Sequence, residues 1–548
     1  MSAAPDLFKA FAETLEKVRL TSSKNSKRDL LAEYFSKLPE GALASAARFL
    51  VGREASHGDI GVGWRAIMDA LREVVAIDDA ELSAGYLKLG DLGSVVEEIY
   101  ERSARARSLT SEPLTITRVS EAFDEMARTA GSGSTSVKKR ILQGLLADAE
   151  PVEAKYLIRI ITGDLRVGAT QGIVEEGVAK AFSVDAAAVR NAILVTGDVA
   201  QAARLAKRGE VDGARPVLYR PVAFMLAEPK ATAPEVAEHF GRPTKVEMKY
   251  DGIRLQAHLG SDVKLFSRRM EDVTVTLPEV KEALMGAGHE AILDGEALGF
   301  DGEKPIPFVK LQSRLHRKEL TPRLMNEAPV YYFVFDVLYL DGEPLLGRSL
   351  LERREALLRL QLGGRVVVAP QYDAVSAEDY QRLFDGSRKM GFEGLVVKDP
   401  ASPYTPGRRG GHWVKLKKEL DTVDAVIVAA EWGNGKRAGL LSDYTFAVWD
   451  GADLKVIGKA YSGLTDEEIA EMTDRMKELA VRWEGHRCVV KPQVVLEVSF
   501  DSIQRSDRHD SGYALRFPRI KEVRHDKGPD QADTLEKVRS IYEHQGLK

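Results

Sequence analysis

The sequence predicts a multidomain chain: an all-α N-terminal domain, a central α+β domain with largely antiparallel sheets, and a C-terminal β-barrel of the OB-fold type. Three observations predict this. Apolar residues recur at helical spacing through roughly the first 215 residues, as in SKRDLLAEYFSKL, GWRAIMDALREVVA, SVVEEIYERSARA and EEGVAKAFSV. Pro216, Pro221, Pro229 and Pro234 then crowd one stretch, and beyond it strand patterns take over. A second change falls near Glu419-Leu420-Asp421, after which short strands are separated by turn residues. The expected domains are 1–218, 219–419 and 420–548.

The central block reads as the strands KVEMKY, LQAHL, VKLFSR, EAILDGEAL, VYYFVFDVLYL, RVVVAPQYD, EGLVVKD and HWVKLK, interrupted by helices such as AEDYQRLFDGSRKMG. The last block reads as VDAVIVAAEWG, YTFAVWDG, DLKVIGKAYSG and VVLEVSFDSIQRS. One helix falls among these strands, opening on the Thr465-Asp466-Glu467-Glu468 capping box with Gly485 as its expected stop. A small barrel with one helix between strands suggests an OB-fold.

Composition narrows the class. A 548-residue chain with 44% hydrophobic residues can bury several cores. The net charge of −5 argues against binding nucleic acid by bulk charge, though not against locally basic grooves. One cysteine, Cys488, cannot form a disulfide within the chain or a four-cysteine zinc site. The N-terminal stretch reads as an amphipathic helix without the apolar core of a signal peptide, and no apolar run approaches a bilayer span, so a soluble cytoplasmic protein is expected.

The chemistry centres on Lys249-Tyr250-Asp251-Gly252-Ile253-Arg254. A lysine after a strand, beside an aspartate and an arginine, can serve as a covalent nucleophile toward a nucleotide phosphate; a surface hairpin with ordinary charges is the plain alternative. Five further clusters follow: Phe266-Ser267-Arg268-Arg269, Asp294-Gly295-Glu296 at an expected strand end, Phe333-Val334-Phe335-Asp336, Glu393 through Lys398, and Trp413 through Lys417. Period-two spacing places Lys415 and Lys417 on one strand face. Each alone has a plain reading: a turn, a core aromatic, a solvated edge, a surface ion pair. Together they do not. A Lys-x-Asp-Gly-x-Arg match arises by chance in about one chain of this length in a hundred, and the glutamate-to-lysine cluster is similarly rare.

This series resembles the motifs of the covalent nucleotidyltransferases, which comprise DNA ligases, RNA ligases and messenger RNA capping enzymes. Over its whole length the chain resembles the three-domain ATP-dependent DNA ligases, with helical DNA-binding, adenylation and OB domains. The likeness extends to Gly163-Asp164-Leu165-Arg166-Val167-Gly168, to Arg516-Phe517-Pro518-Arg519 and to Arg524-His525-Asp526-Lys527. Arg269 adds a second arginine to its cluster.

The resemblance implies a nucleophilic Lys249 that takes AMP from ATP, Glu247 at the adenine amino group and Phe335 stacked on the ring. It implies Arg254 and Arg268 on ribose and later the nick phosphate, and Glu296 and Glu393 on ribose and a divalent metal, Mg2+ or alternatively Mn2+. Lys398, Lys415 and Lys417 would neutralise the α-phosphate and, as like charges, disfavour protonation of Lys249. Arg524 and Lys527, on a mobile domain hinged near Glu419-Leu420-Asp421, would orient pyrophosphate. Three displacements follow: lysyl-AMP formation, transfer of AMP to the 5′-phosphate at a nick, and attack by the 3′-hydroxyl.

The implied partner is nicked double-stranded DNA, held through its phosphates and shape, in replication, repair and recombination. Gly163 to Gly168, with Arg166, would meet a phosphate near a helix start, the alternative being a helix C-cap without ligand. Gly433-Asn434-Gly435-Lys436 lacks phosphate-loop spacing and reads as a hairpin turn. No glutamine-led clamp-binding peptide is present, so a sliding-clamp partner is not readable; a monomer without membrane association is expected, nucleoid-associated if prokaryotic. The runner-up is an RNA ligase or capping enzyme, and the large helical domain before Lys249 favours DNA. An NAD-dependent ligase would need a cysteine zinc module. A catalytically dead nick-binding scaffold is disfavoured because every motif position holds a competent residue.

Overall fold

The computed structural model describes residues 6–544 except 54, 56–59, 76, 78–81, 83–84, 87–88, 103–111, 132, 307, 313, 315–319, 418–420 and 435–436. Helices from Phe8–Leu20 to Val199–Arg208 build the N-terminal part around one core that includes Phe8, Phe11, Phe35, Phe49, Phe123 and Tyr156. Helix ends follow the local chemistry: Asp185 accepts from the Ala188 amide to open Ala186–Thr196, and Gly197 closes it at φ 66°. Asp198 then opens Val199–Arg208 by accepting from the Ala200 amide.

The proline-rich stretch does not hang free between domains. The Ala223 amide donates to the Leu194 carbonyl at 2.9 Å, which ties the stretch to the helical part. On the other side, the Val222 amide donates to Gln256 Oε1 at 2.8 Å and the Tyr219 amide to His258 Nδ1 at 2.9 Å. The fully buried His258 ring must therefore be neutral, with its proton on Nε2 toward Gln256 Oε1.

Two sheets form the central part. The five-stranded sheet runs Glu228–Lys230, Trp413–Lys417, Gly394–Lys398, Thr244–Lys249, Tyr372–Ala374, antiparallel except for its first pair. The six-stranded sheet runs Val263–Ser267, Ile253–Leu259, Ala291–Gly299, Val330–Leu340, Glu343–Pro344, with Val366–Val368 added parallel to Val330–Leu340. Val246, Met248, Leu395, Val397, Val414 and Leu416 turn one face of the first sheet into core, as period-two alternation requires.

The plain hairpin alternative and one expectation fail here. Lys249 and Arg254 do not flank a hairpin: the strand ending at Lys249 and the strand beginning at Ile253 belong to different sheets, so residues 250–252 bridge them. Asp294-Gly295-Glu296 is not a strand end but the middle of Ala291–Gly299, paired on both sides. A Cβ at Gly295 would stand 2.5 Å from the Phe333 carbonyl, so this glycine serves close strand packing rather than a turn.

In the C-terminal part, Asp421–Trp432 is the central strand. It pairs with Leu441–Asp450 on one edge and with Val495–Phe500 and Arg487–Val490 on the other. The helix Asp466–Glu478 opens with the expected capping box but ends at Glu478, well before Gly485. Gly485, at φ 63°, instead turns the hairpin between Ala480–Glu484 and Arg487–Val490. A terminal helix, Leu535–His544, packs on this core through Leu535 and Val538. Of the expected hinge, residues 419 and 420 lie outside the described residues, as do 435 and 436 of the expected hairpin turn, which falls between two paired strands.

Candidate active site

The register of the five-stranded sheet gathers the charged motif residues on the face opposite its core. Lys249 stands opposite Gly394, which stands opposite Lys417; Glu247 stands opposite Val396, which stands opposite Lys415. Lys245, Lys398 and Trp413 form the next row. Directly paired residues point to the same side. The six-stranded sheet faces this wall with Arg254 and Glu296, themselves a directly paired row. Between Asp294↔Asp336 and Gly295↔Val334 one residue is left unpaired, and it is Phe335. A bulge therefore re-aims the Phe335 ring.

Lys249 is half-buried and its ammonium contacts Glu393 Oε2. The same pair is held by backbone, the Glu393 amide donating to the Lys249 carbonyl at 3.0 Å. The bridge after Lys249 is anchored by Tyr250, whose ring packs 4.7 Å from Phe333 and 5.2 Å from Phe392. Gly252 lies so close to the second sheet that a Cβ would sit 2.3 Å from the Ala297 carbonyl. Gly394, at φ 151°, leaves 2.2 Å to the Leu416 carbonyl for a Cβ. Both motif glycines are thus required by close backbone approach.

Three carboxylates ring the amine. Burial and the neighbouring Asp294 and Glu393 charges push the Glu296 carboxyl up to about 8, against the lowering influence of Arg254 and Lys249. Asp251 keeps a solvent-exposed surface at the mouth of the cleft; partial burial and the adjacent Glu393 push its carboxyl up to about 6. Among the described residues no three His, Cys, Asp or Glu side chains converge as a complete metal cage.

The cationic wall is not uniform. Lys415 is held below the usual lysine range by burial and by the charges of Lys249, Lys417, Arg409 and Arg268. Arg268 and Arg269 lie exposed in the turn after Val263–Ser267. Lys398 is different from its expected role: it is 1% exposed, ion-paired to Glu247 at 2.6 Å, and its Nζ lies 4.4 Å from the Phe335 ring centre and 4.2 Å from that of Trp413. It forms the floor of the cleft rather than a free charge beside Lys249. Burial lowers its pKa.

Glu247, 2% exposed, receives a second contact from Gln371 Nε2 at 2.7 Å. Arg254 grips the fully buried Asp294 with Nε at 3.1 Å and Nη2 at 2.7 Å, and donates to the Met225 carbonyl at 2.8 Å. Its guanidinium lies 5.0 Å from the Phe224 ring, 5.2 Å from Phe335 and 5.6 Å from Trp413. Tyr404 closes the set, donating to Asp294 Oδ2 at 2.7 Å and accepting from the Met225 amide at 2.9 Å.

Sequence reasoning did not find Gln371, Tyr404 or Asp294's grip on Arg254. Tyr404 and Asp294 lie 110 residues apart, beyond any local pattern.

Arg524 and Lys527 lie outside the cleft. Both are bound to Asp424 on the first strand of the C-terminal part. Arg516 comes nearer, with its guanidinium 5.5 Å from the Phe308 ring. In the helical part, the Gly163 amide donates to the Ile160 carbonyl and the Asp164 amide to the Arg159 carbonyl, so this end of the 163–168 stretch is a helix C-cap. Lys27 donates to the Val167 and Gly168 carbonyls at 2.7 and 3.1 Å. The next helix starts only at Gln171. The amides of Gly163 and Asp164 are therefore not available to a phosphate, while Arg166 is exposed at φ 52° and paired to Asp164 at 2.7 Å.

The cleft thus brings together a bulge-aimed aromatic, a lysine among carboxylates and a basic strand of the five-stranded sheet. The chain belongs to the ATP-dependent DNA ligase family: residues 7–179 match the DNA ligase N terminus, 224–417 the ATP dependent DNA ligase domain, and 437–527 the ATP dependent DNA ligase C terminal region. It is 40% identical to a probable DNA ligase of Koribacter versatilis, over 97% of this chain and 96% of that one. It is 36% identical to a DNA ligase of Methanopyrus kandleri, over 98% and 99%. The solved structure described as Pmar-Lig_Pre shares the fold at a TM-score of 0.52 and 16% identity, covering 94% of this chain and 99% of that one. No helix among the described residues is long and apolar enough to cross a membrane.

Proposed function

We propose that Lys249 is the nucleophile through which this ligase seals nicks in duplex DNA. The observation that carries the reading is the single sheet face shared by Glu247, Lys249, Lys415 and Lys417, facing Arg254, Glu296 and Phe335 across the cleft. Adenine enters against Phe335, with Glu247 and its Gln371 contact at the back of the pocket. Lys249 Nζ, released from Glu393 and having given its ammonium proton to water, attacks the α-phosphorus as the neutral amine; the Nζ–P bond forms, the P–O bond to pyrophosphate breaks, and pyrophosphate leaves. Lys415 and Lys417 neutralise the oxygens as charge shifts, and Arg268 stands exposed at the rim to meet the nick phosphate.

In the second displacement a 5′-phosphate oxygen replaces Nζ at the AMP phosphorus. In the third the 3′-hydroxyl oxygen, losing its proton to water, bonds to the 5′-phosphate phosphorus, the phosphoanhydride P–O bond breaks, AMP departs and the strand is joined. Arg254, fixed by Asp294, lines the ribose side. Arg524 and Lys527 reach pyrophosphate only when the C-terminal part turns toward the cleft.

Glu296 and Glu393 fit a magnesium ion that keeps waters and nucleotide oxygens as its other ligands, because two hard carboxylates suffice for such a site. When bound, the ion supplies charge neutralisation at the phosphates. The test is joining of a nicked duplex with ATP, GTP and NAD in parallel, with intact-mass detection of the protein. A 329-dalton gain (the mass of a covalently attached AMP residue, roughly, by covalent transfer chemistry) is expected with ATP and must vanish in Lys249→Ala; modification that persists in that variant sinks the assignment.

A further inference from the structure

We propose that Asp424 is the positioning residue that sets Arg524 and Lys527 as a preformed anion clamp, so that both cations arrive aligned when the C-terminal part closes on ATP. The inference rests on the pyrophosphate role given to those two residues above. Asp424 is 8% exposed and lies on the strand Asp421–Trp432, opposite Glu497. Its two oxygens are divided between the two cations: Oδ1 lies 3.2 Å from Arg524 Nη1, and Oδ2 contacts Lys527 Nζ.

The backbone of Asp424 is fixed as well. Its amide donates to Asp533 Oδ2 at 2.7 Å, and its carbonyl accepts from the Asp533 amide at 2.8 Å. The Arg524 amide donates to the Val495 carbonyl at 2.9 Å, which holds the 524–527 turn against the same sheet. The other carboxylates near Arg524 differ in kind. Asp526, which grips Arg524 Nε and Nη2 at 2.9 and 2.7 Å, and Glu522 are largely exposed and neither holds Lys527, and Glu497 stands 3.8 Å away. Among the described residues only Asp424 touches both cations, is buried, and is pinned by main chain.

Asp424, Arg524 and Lys527 share one sheet and its closing turn, so their geometry travels with the part when it swings. Asp424 holds both cations from the sheet side, and an incoming anion takes the Arg524 fork by displacing the exposed Asp526, which grips it at 2.9 and 2.7 Å. Asp424 also spares the site the entropy of ordering two long side chains during closure. A buried ion pair that merely stabilises the fold would affect all three chemical steps alike; a positioning residue for the first step would not.

The experiment uses the full chain with Asp424→Asn, Lys527→Ala and the double variant. Three readouts are taken: adenylylation rate against ATP concentration, sealing of a nick already carrying 5′-AMP with no ATP present, and thermal melting. Expected are an adenylylation rate lower by about 10- to 100-fold in Asp424→Asn, the scale of misplacing a positioned group, and sealing of the pre-adenylylated nick within about twofold of wild type. In the Lys527→Ala background the same substitution should cost much less, since it acts through that cation. Equal losses in both steps, no loss, or fully multiplicative losses overturn the proposal. Should Asp424→Asn melt below the assay temperature, Asp424→Glu, which keeps the charge but moves it, must show the same step-selective loss. If Lys527→Ala and Arg524→Ala leave adenylylation unchanged, the failure belongs to the pyrophosphate assignment instead.

Discussion

Lys398 Nζ stands 2.6 Å from Glu247 Oε2, with the two side chains 1% and 2% exposed and the Phe335 and Trp413 rings flanking the ammonium. The pair is both a floor for the cleft and a fold element. Removing one partner strands a buried charge, which costs about 3–5 kcal/mol, whereas removing both can cost far less. Lys398→Met should therefore lower stability by that amount, and Glu247→Gln combined with Lys398→Met should recover part of it. Urea unfolding of the four species checks this; strictly additive losses would refute it.

Lys249→Ala should abolish covalent labelling by ATP while leaving the fold intact. Its partner Glu393 is 37% exposed, so losing the ion pair changes stability by less than about 1 kcal/mol. Intact mass and a melting curve, taken on one preparation, separate lost chemistry from lost structure.

Glu296 makes the protein sensitive to pH. Its folded pKa of about 8 lies above its ordinary value of 4.5, so between those limits the folded state binds more protons than the unfolded one. Its contribution to stability is fully present below pH 4.5 and is lost as pH rises through 8. Glu296→Gln should remove this slope, so that its melting temperature rises relative to wild type at pH 8.5 (a working condition, roughly half a unit above the titration) but not at pH 5. On the magnesium role proposed for Glu296, apparent Mg2+ affinity in adenylylation should strengthen across that range. Melting curves that stay parallel at both pH values would contradict the assignment.

Tyr404→Phe deletes one buried hydroxyl and so orphans the Met225 amide and one bond to Asp294. A buried group left without its partner costs about 1–3 kcal/mol. Asp294 also loses the hydroxyl that helps fix it for Arg254, so the KM for ATP should rise more than kcat falls. In an Arg254→Ala background the kinetic effect should disappear while the stability loss remains.

Much of this was legible in the sequence. The helical part, the strands that form the cleft and the shared face of Lys415 and Lys417 follow from periods of 3.6 and 2, which are local properties. Other features were not. Asp251-Gly252 looks like a hairpin turn because local chemistry cannot say which sheet the next strand joins. Asp294-Gly295 looks like a strand end because the signal for a turn and for close strand packing is the same glycine. Gly485 was assigned to a helix stop when it turns the following hairpin.

The terminal helix Leu535–His544 did leave a signal, apolar residues at 535, 538, 541 and 542 behind Thr534, whose hydroxyl accepts from the Lys537 amide. Glu247 and Lys398 each suggested a nucleotide contact by motif, but their burial as a pair depends on a register set across 151 positions of chain, a separation read from their numbers. Asp424 carries no motif of its own and became visible only through what it holds.

Residues 250–252 carry the chain from one wall of the cleft to the other immediately after Lys249. Severing the backbone there, as a circular permutation would, unhooks the Lys249 strand from the opposing sheet although every side chain is kept. Grafting the hexapeptide onto another strand would fail for the same reason, because the gap between the two sheets is part of the reagent.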